Sequence, residues 1–100
     1  NDKTSFDAIF SFSELLALGA MNCLKLNKVD IPNQVAVATF SGTFLSTVVY
    51  PQLSSVEQPL RIMGQTAADL ILEKIKYPSI PSKKIILHSQ TQIRRSTGKF

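Results

Sequence analysis

Few residues in this 100-residue sequence are of types that do chemistry, and they are scattered. His88 is the only histidine and Cys23 the only cysteine, so an intramolecular disulfide and a multi-cysteine zinc site are both excluded. His88 has no partner to share a metal and reads as a structural or solvent-facing residue. Cys23 sits inside an apolar helical pattern without a basic neighbour, so a buried, inert thiol is expected. Gly19, Gly42, Gly64 and Gly98 are isolated and build no phosphate-cradling loop. No serine stands in a nucleophile elbow. The expectation is therefore no enzyme, no metal and no cofactor. Two short polar stretches remain, Ser13-Glu14 and Ser41-Gly42-Thr43, each following a strand pattern. In a parallel α/β sheet, ligands sit beyond the carboxyl ends of the strands. Small hydroxyls beside a helix start suit a polar neutral ligand such as a sugar. The competing reading makes Ser13 an N-cap and Ser41 a turn residue.

The elements that must position these residues follow from periodicity. Asp7 to Ser13 alternates and is rich in β-formers, which predicts a strand. Ser11 with Glu14 forms a capping-box pattern, or Ser13 caps alone, ahead of a helix from Glu14 to Asn27. That helix is apolar on more than one stripe, so cover from more than one side is expected, another subunit among the candidates. Val35 to Phe40 is a short apolar run, the pattern of a parallel strand buried on both faces. Thr43 to Tyr50 reads equally as a short helix or an extended segment, and Leu53 to Glu57 as a further short strand. Leu60 to Lys76 is the clearest amphipathic helix, with Pro78 and Pro81 beyond it. Lys84 to Leu87 predicts a strand, and His88 to Arg95 a second one. The order implies an α/β fold with a mostly parallel sheet flanked by helices.

Composition agrees. A hydrophobic content of 44% and a mean hydropathy of +0.10 exclude intrinsic disorder. The charged fraction of 18% is below the roughly 25% of an average soluble domain, leaving more surface for burial. Leu15 to Leu26 is the longest apolar-rich stretch, well short of the ~20 residues that a membrane span needs. With one cysteine and no signal-peptide pattern at Asn1–Thr4, a cytoplasmic setting is expected, and the start at Asn1 reads as a cut rather than a beginning. The net charge of +4 is uneven, because residues 71–100 carry seven basic side chains against Glu73 alone. Spread over a helix end, a loop and a strand end, these read as a solvated surface rather than a nucleic-acid patch.

In order and spacing, several stretches together resemble the lactose-repressor (LacI-type) bacterial transcription regulators. They are Asp7-Ala-Ile-Phe, Leu16-Ala-Leu-Gly-Ala20, Ile31-Pro-x-x-Val-Ala-Val37, Pro51-x-Leu-Ser-Ser-Val-Glu-Gln-Pro59, Gly64-x-x-Ala-Ala68 and Arg94-Arg-Ser-Thr97. The resemblance covers nearly the whole chain, and the stretch ending in Gln58-Pro59 is its sharpest part. It implies a two-lobed, periplasmic-binding-protein-like (type I) fold, of which this sequence corresponds to the last third. Residues 1–58 would belong to the C-terminal lobe, 59–87 to a crossing, helix and strand of the N-terminal lobe, and 88–100 to the return strand and tail.

The resemblance also implies roles. Effector contacts would come from Ser13 and Glu14 after the first strand, from Ser41 after the buried strand, and from Gln58 and Leu60 at the crossing. The family usually places Asn-Asp at the first position and an acid at the Ser41 position, so serines here replace the customary sugar-hydroxyl partners, although Glu14 keeps a carboxylate. A homodimer would form through Leu18, Met21, Asn22, Thr47, Val48, Val49 and Tyr50. Partners would be a small-molecule effector, a sugar or related polar metabolite, and operator DNA through a headpiece outside this sequence, with no membrane. The alternative is a periplasmic sugar-binding protein of a transporter. A free-standing α/β interaction module is the third reading.

Overall fold

The computed structural model describes residues 5–98. The elements run β1 (Ala8–Ser11), α1 (Glu14–Leu26), β2 (Ala36–Phe40), α2 (Leu45–Val48), β3 (Ser54–Glu57), α3 (Leu60–Lys76) and β4 (Gln90–Gln92), followed by a 3₁₀ turn at Arg95–Thr97. They divide into two compact units, one comprising the chain to Glu57 together with Gln90 onward, the other Gln58–Ser89.

The first unit holds a four-stranded sheet in the order β1-β2-β3-β4. β1, β2 and β3 are mutually parallel, with Ser11 opposite Thr39 and Phe40 opposite Val56, while β4 runs antiparallel to β3 with Val56 opposite Thr91. Ala17 and Met21 of α1 pack with Ile31, Val35, Val37 and Leu53 to form the core. The sequence pattern for β2 implied burial on both faces. Val37 and Thr39 are buried, but Ala36, Ala38 and Phe40 stay partly exposed. Phe10 on β1, opposite Ala38, shares that open side by the two-residue alternation of a strand, and Phe12, just past the strand, is 81% exposed.

Leucine, alanine, methionine and lysine make α1 a strong helix former. Its end is well defined. Lys28 takes a left-handed φ of 59°, the Val29 N–H reaches the Leu24 carbonyl at 2.9 Å and the Lys28 N–H reaches that of Lys25 at 2.9 Å. This is a Schellman closure, with Val29 and Leu24 both packed against the core. The expected capping box does not form. Ser11 Oγ donates to the Ser13 carbonyl and accepts the Ser13 N–H, whereas Ser13 makes no side-chain cap. Cys23, expected to be buried, is exposed, because the core-facing stripe of α1 runs through Ala17 and Met21 instead.

In the second unit α3 spans Leu60–Lys76 as predicted, yet none of its residues is buried. Lys83 pairs with Glu73 at 2.8 Å, and Lys74 Nζ donates to the Ile80 carbonyl at 2.7 Å. The strand expected at Lys84–Leu87 is not formed: among the described residues, nothing lies beside it to complete a hydrogen-bonded ladder. Ile85 and Ile86 remain exposed. The strand expected at His88–Arg95 contracts to Gln90–Gln92, the part that pairs with β3.

Candidate functional site

Ser13 and Ser41 lie past the carboxyl ends of adjacent parallel strands. The register pairs Ser11 with Thr39, and Ser13 and Ser41 each stand two residues beyond that rung. Thr39 Oγ1 donates to the Ser11 carbonyl at 3.1 Å, tying the two strand ends together. Both serines are partly exposed. Phe12, Phe40 and Phe44 flank the same edge in sequence, and Phe12 and Phe44 are exposed.

Glu14 departs from its expected role of offering a carboxylate to a ligand. It is only 7% exposed, and its oxygens are already engaged. Oε2 accepts the Thr43 N–H at 2.7 Å and the Ser46 hydroxyl at 2.6 Å, and Oε1 accepts the Thr43 hydroxyl at 2.6 Å. Burial alone pushes the Glu14 carboxyl up, but the donors on Ser46 and Thr43 outweigh it and hold the group below the ordinary carboxylate value. Glu14 is thus charged, held and directed at the loop after β2.

That loop is also held close to β3. A Cβ on Gly42 would stand 2.6 Å from Ser55 Cβ and 2.9 Å from Ser46 Oγ, so only glycine fits between them. The Gly42 N–H also reaches the Val56 carbonyl at 3.3 Å. Gln58 and Leu60 belong to the second unit, at the boundary and at the first turn of α3 respectively, and they are partly exposed and exposed.

Residues 2–97 match the sequence profile of the periplasmic binding protein-like domain. The chain belongs to that family. Among curated relatives of this periplasmic binding protein-like domain, the HTH-type transcriptional regulator GalR of Streptococcus thermophilus is 34% identical over 91 residues, which cover 91% of this chain and 28% of GalR. A LacI family transcriptional regulator from Enterococcus faecalis V583 with bound ribose superimposes with a TM-score of 0.91 at 29% identity, covering 96% of this chain and 36% of that one. A periplasmic binding protein/LacI transcriptional regulator from Alkaliphilus metalliredigens QYMF, complexed with D-xylulofuranose, gives a TM-score of 0.86 at 26% identity, covering 94% and 35%. The chain spans between 22% and 28% of the length of the curated relatives it matches.

The residues expected at a dimer interface separate within this periplasmic binding protein-like domain. Met21 is 2% exposed and belongs to the core, so it has no surface to offer a partner; that expectation is corrected. Leu18 and Val49 are half-buried against the same core. Asn22, Thr47, Val48 and Tyr50 are exposed, Tyr50 to 85%.

The Arg94-Arg-Ser-Thr97 stretch, singled out only as a likeness, is a fastening in the domain. Arg94 Nη1 donates to the Leu53 carbonyl at 2.8 Å and to Ser55 Oγ at 3.0 Å, while Nη2 pairs with Glu57 at 2.9 Å. Ser96 is fully buried; its hydroxyl accepts the Ser54 N–H at 2.8 Å and donates to the Val37 carbonyl at 2.5 Å. Sequence spacing holds no sign of these bonds, since they join residues 37 to 59 positions apart.

Proposed function

We propose that this chain is the effector-sensing and dimer-forming part of a LacI-type transcription regulator. The observation that carries the reading is the pairing of Ser13 and Ser41 beyond the carboxyl ends of adjacent parallel strands, where α/β sheets bind ligands. Sugar-bound relatives of the same fold support it. Residues 1–58 and 88–100 form part of one lobe, and residues 59–87 part of the other. The effector is a sugar or related polar metabolite held by Ser13 and Ser41, with Gln58 and Leu60, at the crossing, as further contacts. Asn22, Thr47, Val48 and Tyr50, flanked by Leu18 and Val49, meet a second copy. Operator DNA is bound through a helix-turn-helix headpiece outside this chain, in the cytoplasm, and the protein carries out no catalysis. No helix among the described residues is long and apolar enough to cross a membrane.

The mechanism is linkage. An effector that binds one arrangement of the lobes better shifts the population towards it, and the DNA affinity of the headpieces follows. The test uses the intact protein carrying this chain. Thermal-shift screening against neutral sugars and nucleosides is expected to find a stabilising ligand, and that ligand is expected to change operator affinity measured by fluorescence anisotropy. A stabilising ligand with no effect on DNA binding, or no ligand across the panel, refutes the reading.

A further inference from the structure

We propose that Glu14 is a positioning residue for effector recognition, the link that holds Ser41 at a fixed distance from Ser13. The inference rests on the effector-binding reading above and assigns Glu14 a role other than ligand contact. Glu14 directly follows Ser13 in the chain, so its backbone travels with that serine. Its carboxylate takes the Thr43 N–H, the Thr43 hydroxyl and the Ser46 hydroxyl at 2.6–2.7 Å, grasping the loop two residues beyond Ser41. The loop is also pressed against β3 at Gly42, where a Cβ would come within 2.6 Å of Ser55 Cβ. Ser41 is therefore set between two fixed points, one supplied by Glu14 and the other by β3. Charge-assisted bonds are the shorter and stronger kind, and three on one nearly buried carboxylate leave the loop little freedom.

The arrangement has a chemical consequence. Of the acids at this edge of the first unit, Glu14 is spent on the protein and Glu57, at the end of β3, is paired with Arg94 at 2.9 Å, so what the described residues of unit one present to a ligand is led by two neutral hydroxyls with phenylalanines beside them. Such an edge recognises an uncharged sugar by single hydrogen bonds, each of which depends strictly on hydroxyl placement. Fixing that placement is the task of Glu14.

A double-mutant cycle separates positioning from bulk structure. Binding of D-ribose and of D-xylulose to the intact protein is measured by isothermal titration calorimetry for the unsubstituted protein, Glu14→Gln, Ser41→Ala and the double variant. Glu14→Gln is expected to weaken binding at least tenfold. In the Ser41→Ala background the same change is expected to cost less than twofold, because the hydroxyl that Glu14 positions is gone. Equal losses in both backgrounds, or an unchanged affinity in Glu14→Gln, overturn the proposal. Should Glu14→Gln lose its fold by circular dichroism, the cycle is run with Thr43→Val, which removes one bond to the carboxylate and keeps the backbone donor, with the same outcomes decisive. Failure of the unsubstituted protein to bind either sugar overturns the proposal for these neutral sugars, whereas the effector reading itself falls only when the whole panel above finds no ligand.

Discussion

Replacing Ser96 by alanine removes one oxygen atom and is expected to cost more than any surface change in the chain. The Ser96 hydroxyl is inaccessible to solvent, accepts the Ser54 N–H at 2.8 Å and donates to the Val37 carbonyl at 2.5 Å. Without it the Ser54 N–H is orphaned where water cannot follow, a penalty of about 1–3 kcal/mol. The lost bond to Val37 adds roughly 0.5–1.5 kcal/mol, less if the carbonyl keeps its ladder partner. The total, about 1.5–4.5 kcal/mol, is a large part of the ~5–15 kcal/mol that holds a typical domain. Urea unfolding of the intact protein, followed by circular dichroism, measures it. The midpoint should fall with an unchanged slope, while Ser89→Ala at an exposed site stays within about 0.5 kcal/mol of the parent. A Ser96→Ala loss no larger than that control refutes the claim that this hydroxyl fastens β2 and β3 to the end of the chain.

Gly42→Ala places its Cβ against Ser55 and is expected to destabilise by about 1–3 kcal/mol in the same assay, as overpacking does. Lys28→Gly relieves a left-handed residue in the Schellman closure of α1 and should stabilise by roughly 0.5–1 kcal/mol; a loss of stability refutes that account. Because the Glu14 carboxyl is held below its ordinary value in the folded protein, its contribution is fully present above that ordinary value and disappears as pH falls through the lowered one. The stability gap between the parent and Glu14→Gln, measured by urea unfolding near about pH 7 and about pH 3, should therefore shrink on acidification. A gap that is constant with pH contradicts the charged, hydrogen-bonded state.

Local pattern carried the elements well and the tertiary bonds poorly. Both long helices were legible, α3 to the residue, because apolar periodicity and terminal prolines are local signals. The placement of Ser13 and Ser41 on one edge followed from reading two parallel strands. The strand expected at Lys84–Leu87 was not realised because a ladder is a property of a pair, and the propensity of Ile85 and Ile86 cannot supply the neighbour. Cys23 and Met21 exchanged their expected surroundings for a similar reason. On a helix as uniformly apolar as α1, composition does not reveal which stripe meets the sheet. Glu14 was visible as a carboxylate at the right place, but its capture by Thr43 and Ser46, 29 and 32 positions away, was not.

The first unit is discontinuous in sequence: β1, β2 and β3 wait for β4 and Ser96, which arrive only after the whole of Gln58–Ser89. During synthesis β1, β2 and β3 thus emerge with the outer edge of β3 lacking its neighbour until Gln90–Gln92 follow. A premature stop or a proteolytic clip after α3 would release more than a shortened protein. It would release one whose β3 edge is bare and so open to pairing with a neighbouring chain. Gln90–Gln92 and Ser96 thus act as a completeness check on the first unit, because only chains translated through them can cover the outer edge of β3.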